Sequence, residues 1–135
     1  MIILLRGIFV VILVSMLGAT TWASYQCPLF AVPRDVARHP WFIATLLDAY
    51  CGFFTFFVWV CWKQVSWLAR VAWFVAIALL GNIAMAAYCL AELFGSAGAR
   101  EAAELFVGRR EGGGGLGLIL AAFGFIVVGG AWTSR

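Results

Sequence analysis

Four long apolar stretches dominate the sequence: Ile2 to Ser24, Trp41 to Trp62, Leu68 to Phe94 and Leu116 to Trp132. About 20 apolar residues suffice for a helix to cross a bilayer, and no other feature limits the chain as strongly. The composition agrees: of 135 residues, 65% are hydrophobic and 11% charged, whereas a soluble domain is about half apolar and a quarter charged. A soluble domain this small buries only about two thirds of the surface its unfolded chain exposes, so much of that carbon would be left in water. Disorder needs low hydropathy and high charge, and is excluded as well. The expected fold class is therefore all-α. The chain reads as one integral membrane domain, a bundle of four transmembrane helices over about 2–24, 41–62, 68–94 and 116–132. An interfacial segment over 26–40 and a loop over 95–111, with a short helix Ala99 to Val107, complete it.

Aromatic residues mark the ends of these runs. Trp22 and Tyr25 close the first, Trp41 opens the second, Trp62 closes it, Trp67 precedes the third and Trp132 ends the fourth. Such rings favour membrane–water boundaries, where the body is apolar and the N–H or O–H is wet. Pro40 suits a first helical turn and Ser66 an N-cap. The short polar stretch Lys63 to Arg70 predicts a tight antiparallel hairpin. The first run reads as a retained helix, because it is long and no side-chain charge precedes Arg6. Four crossings with a cytoplasmic N-terminus put Arg6, Lys63, Arg70 and Arg135 inside, and Arg34, Arg38, Arg100, Arg109 and Arg110 outside. That balance does not decide orientation. The expected placement is a bacterial inner membrane with both termini cytoplasmic.

The net charge of +3 is small and dispersed, which excludes a nucleic-acid surface, since that needs clustered basic residues. Cysteines 27, 51, 61 and 89 form no C-x-x-C pair. The glycines Gly112 to Gly115 lack the Lys-Ser/Thr ending and preceding strand of a phosphate loop. No Ser/His/Asp set or metal-ligand set can be assembled. The chain is expected to be no enzyme and to need no cofactor.

Asp48 is the one carboxylate well inside a run, and an acidic group at membrane depth marks function by default. Thr45, Asp48, Gly52, Thr55 and Trp59 share one helix face. Ala78, Asn82, Met85, Cys89 and Glu92 form a stripe on the third run. If that run is one helix antiparallel to the second, Asp48 comes level with Tyr88. The expectation is a polar cluster of Asp48, Thr45, Thr55, Asn82, Tyr88 and Glu92, with Thr20 and Thr21 beside it. It reads first as a structural clamp, in which Tyr88 or a Thr hydroxyl holds Asp48, and otherwise as a proton- or ligand-linked site. On the last run, Gly113, Gly117, Ala121 and Gly124 form a small-residue packing face.

The strings Leu5-Arg6-Gly7, His39-Pro40-Trp41-Phe42-Ile43-Ala44-Thr45-Leu46-Leu47-Asp48-Ala49-Tyr50, Gly52-Phe53-Phe54-Thr55-Phe56, Ser66-Trp67-Leu68-Ala69-Arg70 and Gly81-Asn82-Ile83-Ala84-Met85 resemble a family of small membrane proteins. It is a domain of unknown function with bacterial and plant members. The resemblance covers roughly residues 1–110 and is most specific around Asp48 and Asn82. It implies no activity, and the tail from Gly112 departs from its pattern.

The leading expectation is a non-enzymatic membrane protein, either an accessory or structural subunit of a larger complex or a homo-oligomer. Its partners would be the lipid bilayer and other membrane subunits or itself. A small proton-coupled transporter using Asp48 is the rival, by architectural analogy. A pigment- or quinone-associated subunit is a third reading, resting on His39 and the aromatic content.

Overall fold

A computed structural model describes residues 1–27, 31–95 and 114–133. The apolar runs become helices: α1 (Ile2–Gln26), α3 (Pro40–Lys63), α4 (Trp67–Leu80), α5 (Asn82–Gly95) and α6 (Gly114–Thr133), with a four-residue α2 (Arg34–Ala37) before α3. Pro40 opens α3 at a position whose N–H would be unpaired in any case. Cys27 and Gln64 end α1 and α3 by turning extended. Ser66 takes the N-cap position of α4, but its hydroxyl makes no capping bond. The described residues are all-helical, and α1 and α3 are long and apolar enough to cross a membrane. The expected short helix Ala99 to Val107 lies outside the described residues.

The single helix expected over 68–94 is two. α4 and α5 meet at Gly81, whose φ of 53° and ψ of −126° belong to a region that favours glycine. The Phe53 ring occupies the space a side chain would need: a Cβ on Gly81 would lie 2.6 Å from Phe53 Cζ. Here the chain doubles back. Tyr88 stacks edge-on against Trp73, with ring centroids 4.8 Å apart, and Glu92 reaches Lys63 at the foot of α4. α4 thus runs antiparallel to α3, and α5 returns parallel to it. At about 1.5 Å per residue, the hairpin reaches about 21 Å out from Trp67 before reversing.

The remaining helices lie on this hairpin. α6 runs parallel to α4: Gly114 sits on Ala69, Gly117 on Trp73, and Gly124 on Leu79 and Leu80. α1 runs antiparallel to α5, with the Arg6 guanidinium bonded to the Leu93 carbonyl. Met1, Lys63, Gly95 and Gly114 therefore share one end of the bundle, while Gln26, Pro40 and Thr133 lie toward the other. Met1 and Thr133 thus lie at opposite ends of the bundle, whereas a single helix over 68–94 would have brought both ends of the chain to one side.

The core is small. Val60, Trp73, Ala76, Ile77, Ala84, Tyr88 and Ala121 form it, while α1 buries no residue at all. Close approach of α6 depends on missing side chains. A Cβ at Gly124 would stand 2.9 Å from Leu79 Cβ. Gly124→Leu is expected to lever α6 off α4 at a cost of about 1–3 kcal/mol, the usual range for overpacking, seen as a lower Tm of the detergent-solubilised protein.

Candidate functional site

The strongest chemical feature lies at the Lys63 end, where α3 and α5 bring buried polar groups together. Lys63 Nζ donates to Glu92 Oε2 at 2.5 Å, and the two side chains are 2% and 8% exposed. Next to them, Gln64 Nε2 donates to the Tyr88 hydroxyl at 3.1 Å. Phe56, Trp59 and Trp73 enclose the Tyr88 ring edge-on, at centroid distances of 5.9, 5.5 and 4.8 Å. Lys63 Nζ also lies 5.5 Å from the Trp59 ring centre. The Arg70 Nε donates to the Gln64 carbonyl at 2.8 Å, closing the turn between α3 and α4. Gln64 Oε1 is buried without a hydrogen bond among the described residues.

Local sequence explains why these groups converge. Gln64 turns extended after the last residue of α3, which keeps both polar side chains at the hairpin's open end. Tyr88 and Glu92 are four apart on α5 and so lie on one face. A lysine and a glutamate this buried would each be very costly alone, but together they cancel charge. The arrangement pins the open end of the α4–α5 hairpin to α3.

The six residues expected to cluster are divided. Tyr88 and Glu92 belong to this buried centre. Thr45, Asp48 and Thr55 lie on the exposed side of α3, and each threonine hydroxyl is spent on its own helix, donating to Trp41 and Cys51 carbonyls. Asn82 starts α5 beside Gly81 and lines a separate pocket. The cluster fails because α5 runs the other way. Tyr88 stands beside Trp59, 11 residues and about 16 Å along α3 from Asp48. Asp48 makes no hydrogen bond or ion pair with a described residue. Thr20, expected nearby, bonds the Met16 carbonyl on the exposed α1.

Gly117, Ala121 and Gly124 are buried on α6, and Gly117 and Gly124 abut α4 of the same chain; Gly113 lies outside the described residues. His39 is exposed at the α3 N-cap. Among the described residues no three His, Cys, Asp or Glu side chains gather as a metal site.

Lys63 and Gln64 were missed by sequence reasoning, which counted them as a polar turn. Their signal was the pairing of one cation at the end of an apolar run with one carboxylate 29 residues on. That pairing is legible only once a reversal is placed between them.

Residues 1–112 match a family described as "Protein of unknown function (DUF1475)". The chain belongs to this family. No curated protein and no solved structure matches it. The DUF1475 match contains Gly81, Phe53 and the Lys63–Glu92 centre, and ends just before α6. The reversed hairpin and α1 thus lie within the DUF1475 region, and α6, which packs along α4, lies beyond.

Proposed function

We propose that this DUF1475 protein is a non-enzymatic, multi-pass integral membrane protein that serves as an assembly subunit, binding another span through the outer face of α3. The observation that carries this reading is Asp48. It lies about 12 Å along α3 from Pro40, on an exposed face, with no partner among the described residues. A carboxylate facing hydrocarbon is costly and calls for a polar partner or a proton. A second span, from another copy or another subunit, supplies the partner. Thr45, Gly52 and Thr55 flank Asp48 on that face, and small or hydroxylated residues suit close helix contact.

In this reading α1, α3 and α6 cross the membrane and the α4–α5 hairpin is re-entrant. Arg6, Lys63 and Arg70 then fall at or next to the Lys63 end, and in sequence Arg100, Arg109 and Arg110 lie between α5 and α6, whose adjoining ends are there too; Arg34 and Arg38 precede α3 and Arg135 follows α6. The positive-inside rule places that end in the cytoplasm of a bacterial inner membrane. The N-terminus is inside and the C-terminus outside.

Light scattering of the full chain in mild detergent, after extraction from its native membrane, tests the reading. The expected result is a defined oligomer or a stoichiometric complex that Asp48→Ala weakens about tenfold, while Asp48→Asn keeps most of it. A monomer without partner in several detergents overturns it. Proton-coupled transport is the second reading. It is favoured by one contact: Tyr50 Oη and the Ala78 carbonyl, 3.4 Å apart, bring Asp48 near the level of the hairpin apex. Re-entrant backbone at membrane depth occurs where it lines a cavity or is buried in protein. Loss of pH-linked uptake in Asp48→Asn, with the oligomer intact, would select this second reading.

A further inference from the structure

A pocket of about 350 Å³ opens between α1 and α3, with α5 as its floor. Phe9 and Ile12 of α1 form one wall and Phe56 and Trp59 of α3 the other. Asn82, Met85, Ala86 and Cys89 of α5 follow one helical face along the floor. Ala86 gives the floor its depth, because a larger side chain there would fill the gap. The volume lies near the low end for small-molecule sites, about 300–1,000 Å³, which are also mostly apolar with a few polar groups.

A charged side chain lies just beyond one end of this pocket. Arg6 lies three residues before Phe9 on α1, and its bond to Leu93 places it one turn beyond Cys89 on α5. Its guanidinium rests 4.5 Å from the Phe94 ring centre. Its Nε is buried and has no hydrogen-bond partner among the described residues. A carbon-lined slot running along the helices, with a cation just beyond its end, complements a long apolar chain with an anionic head.

We propose that the pocket holds an acyl chain of an anionic phospholipid, with the lipid phosphate on Arg6. This rests on the membrane reading above. The slot lies among spans and opens sideways, so the neighbouring leaflet delivers its occupant. Arg6 is about 6 Å along α1 from its first residue, at headgroup level, and the pocket extends inward from it. Arginine is suited to phosphate through its planar fork of donors.

Native mass spectrometry of the full chain, released from detergent with phosphatidylglycerol or phosphatidylcholine of identical chains, tests the proposal. Wild type should retain one phosphatidylglycerol at least tenfold more than phosphatidylcholine. Arg6→Gln should abolish that preference, and Arg6→Lys should keep part of it. Ala86→Phe and Met85→Phe fill the slot in different ways and should release both lipids; circular dichroism and monodisperse elution confirm that each variant folds. Equal retention of both lipids, retention of lauric acid in place of phospholipid, or undiminished binding in folded Ala86→Phe overturns the proposal. Carbonate extraction of the same membranes separates the two levels. Release into the soluble fraction defeats the membrane reading itself, whereas a membrane-retained protein that binds no lipid defeats only this site.

Discussion

Glu92→Ala should be among the most damaging single substitutions in the chain. It removes the carboxylate paired with the Lys63 ammonium, whose side chain is 2% exposed, and losing one member of a buried ion pair costs about 3–5 kcal/mol. The expected readout is a large fall in Tm or loss of a monodisperse species in detergent. The double variant Lys63→Met/Glu92→Leu should recover most of the loss. Its apolar side chains need no desolvation of charge and still fill the space between α3 and α5. A double variant as unstable as Glu92→Ala would mean that the pair contributes through geometry that apolar packing cannot replace.

Gly81→Val should change topology. A β-branched residue at a φ of 53° incurs strain of about 1–3 kcal/mol. Its Cβ also collides with the Phe53 ring, which would stand 2.6 Å away. The alternative is a continuous helix from Trp67 to Gly95, which valine accepts far more readily than a reversed turn. In the proposed bilayer setting, that helix becomes a full crossing and moves the C-terminus to the cytoplasmic side. Fusions of alkaline phosphatase and green fluorescent protein after Arg135 read this directly. Wild type should give phosphatase activity without fluorescence, and Gly81→Val should gain fluorescence. Phe53→Ala combined with Gly81→Ala relieves the collision but leaves the strain, and should give a mixture. An unchanged C-terminus in Gly81→Val would show that the ion pair and the Tyr88 contacts hold the hairpin without the glycine.

Helix positions were the most legible part of the sequence. The run from Ile2 to Ser24 became α1, ending at Gln26, and Pro40 opened α3. These boundaries follow from the ends of apolar runs, from proline and from the extended residues after them. Gly81 was not legible as a reversal. Glycine inside an apolar helix is ordinary in membrane proteins, and Asn82 beside it, a turn former, is a weak signal within an apolar run of 27 residues. Taking the run as one helix inverted the direction of α5. That single error placed Tyr88 and Glu92 beside Asp48 instead of beside Lys63. It also put both termini at one end.

Most of this protein's helices, and their strongly apolar character, could be read from the sequence alone. Both depend on contributions that are local and add along the chain: hydropathy, helix propensity, and the placement of proline. Only the tertiary structure decided which way α5 runs, and hence which polar groups meet. That choice rests on the backbone angles of one residue, a ring from a helix 28 positions earlier in the sequence and an ion pair 29 residues apart, none of which a window along the sequence contains. Lys63 and Glu92 meet because the chain reverses at Gly81, and the same reversal carries Tyr88 and Glu92 away from Asp48.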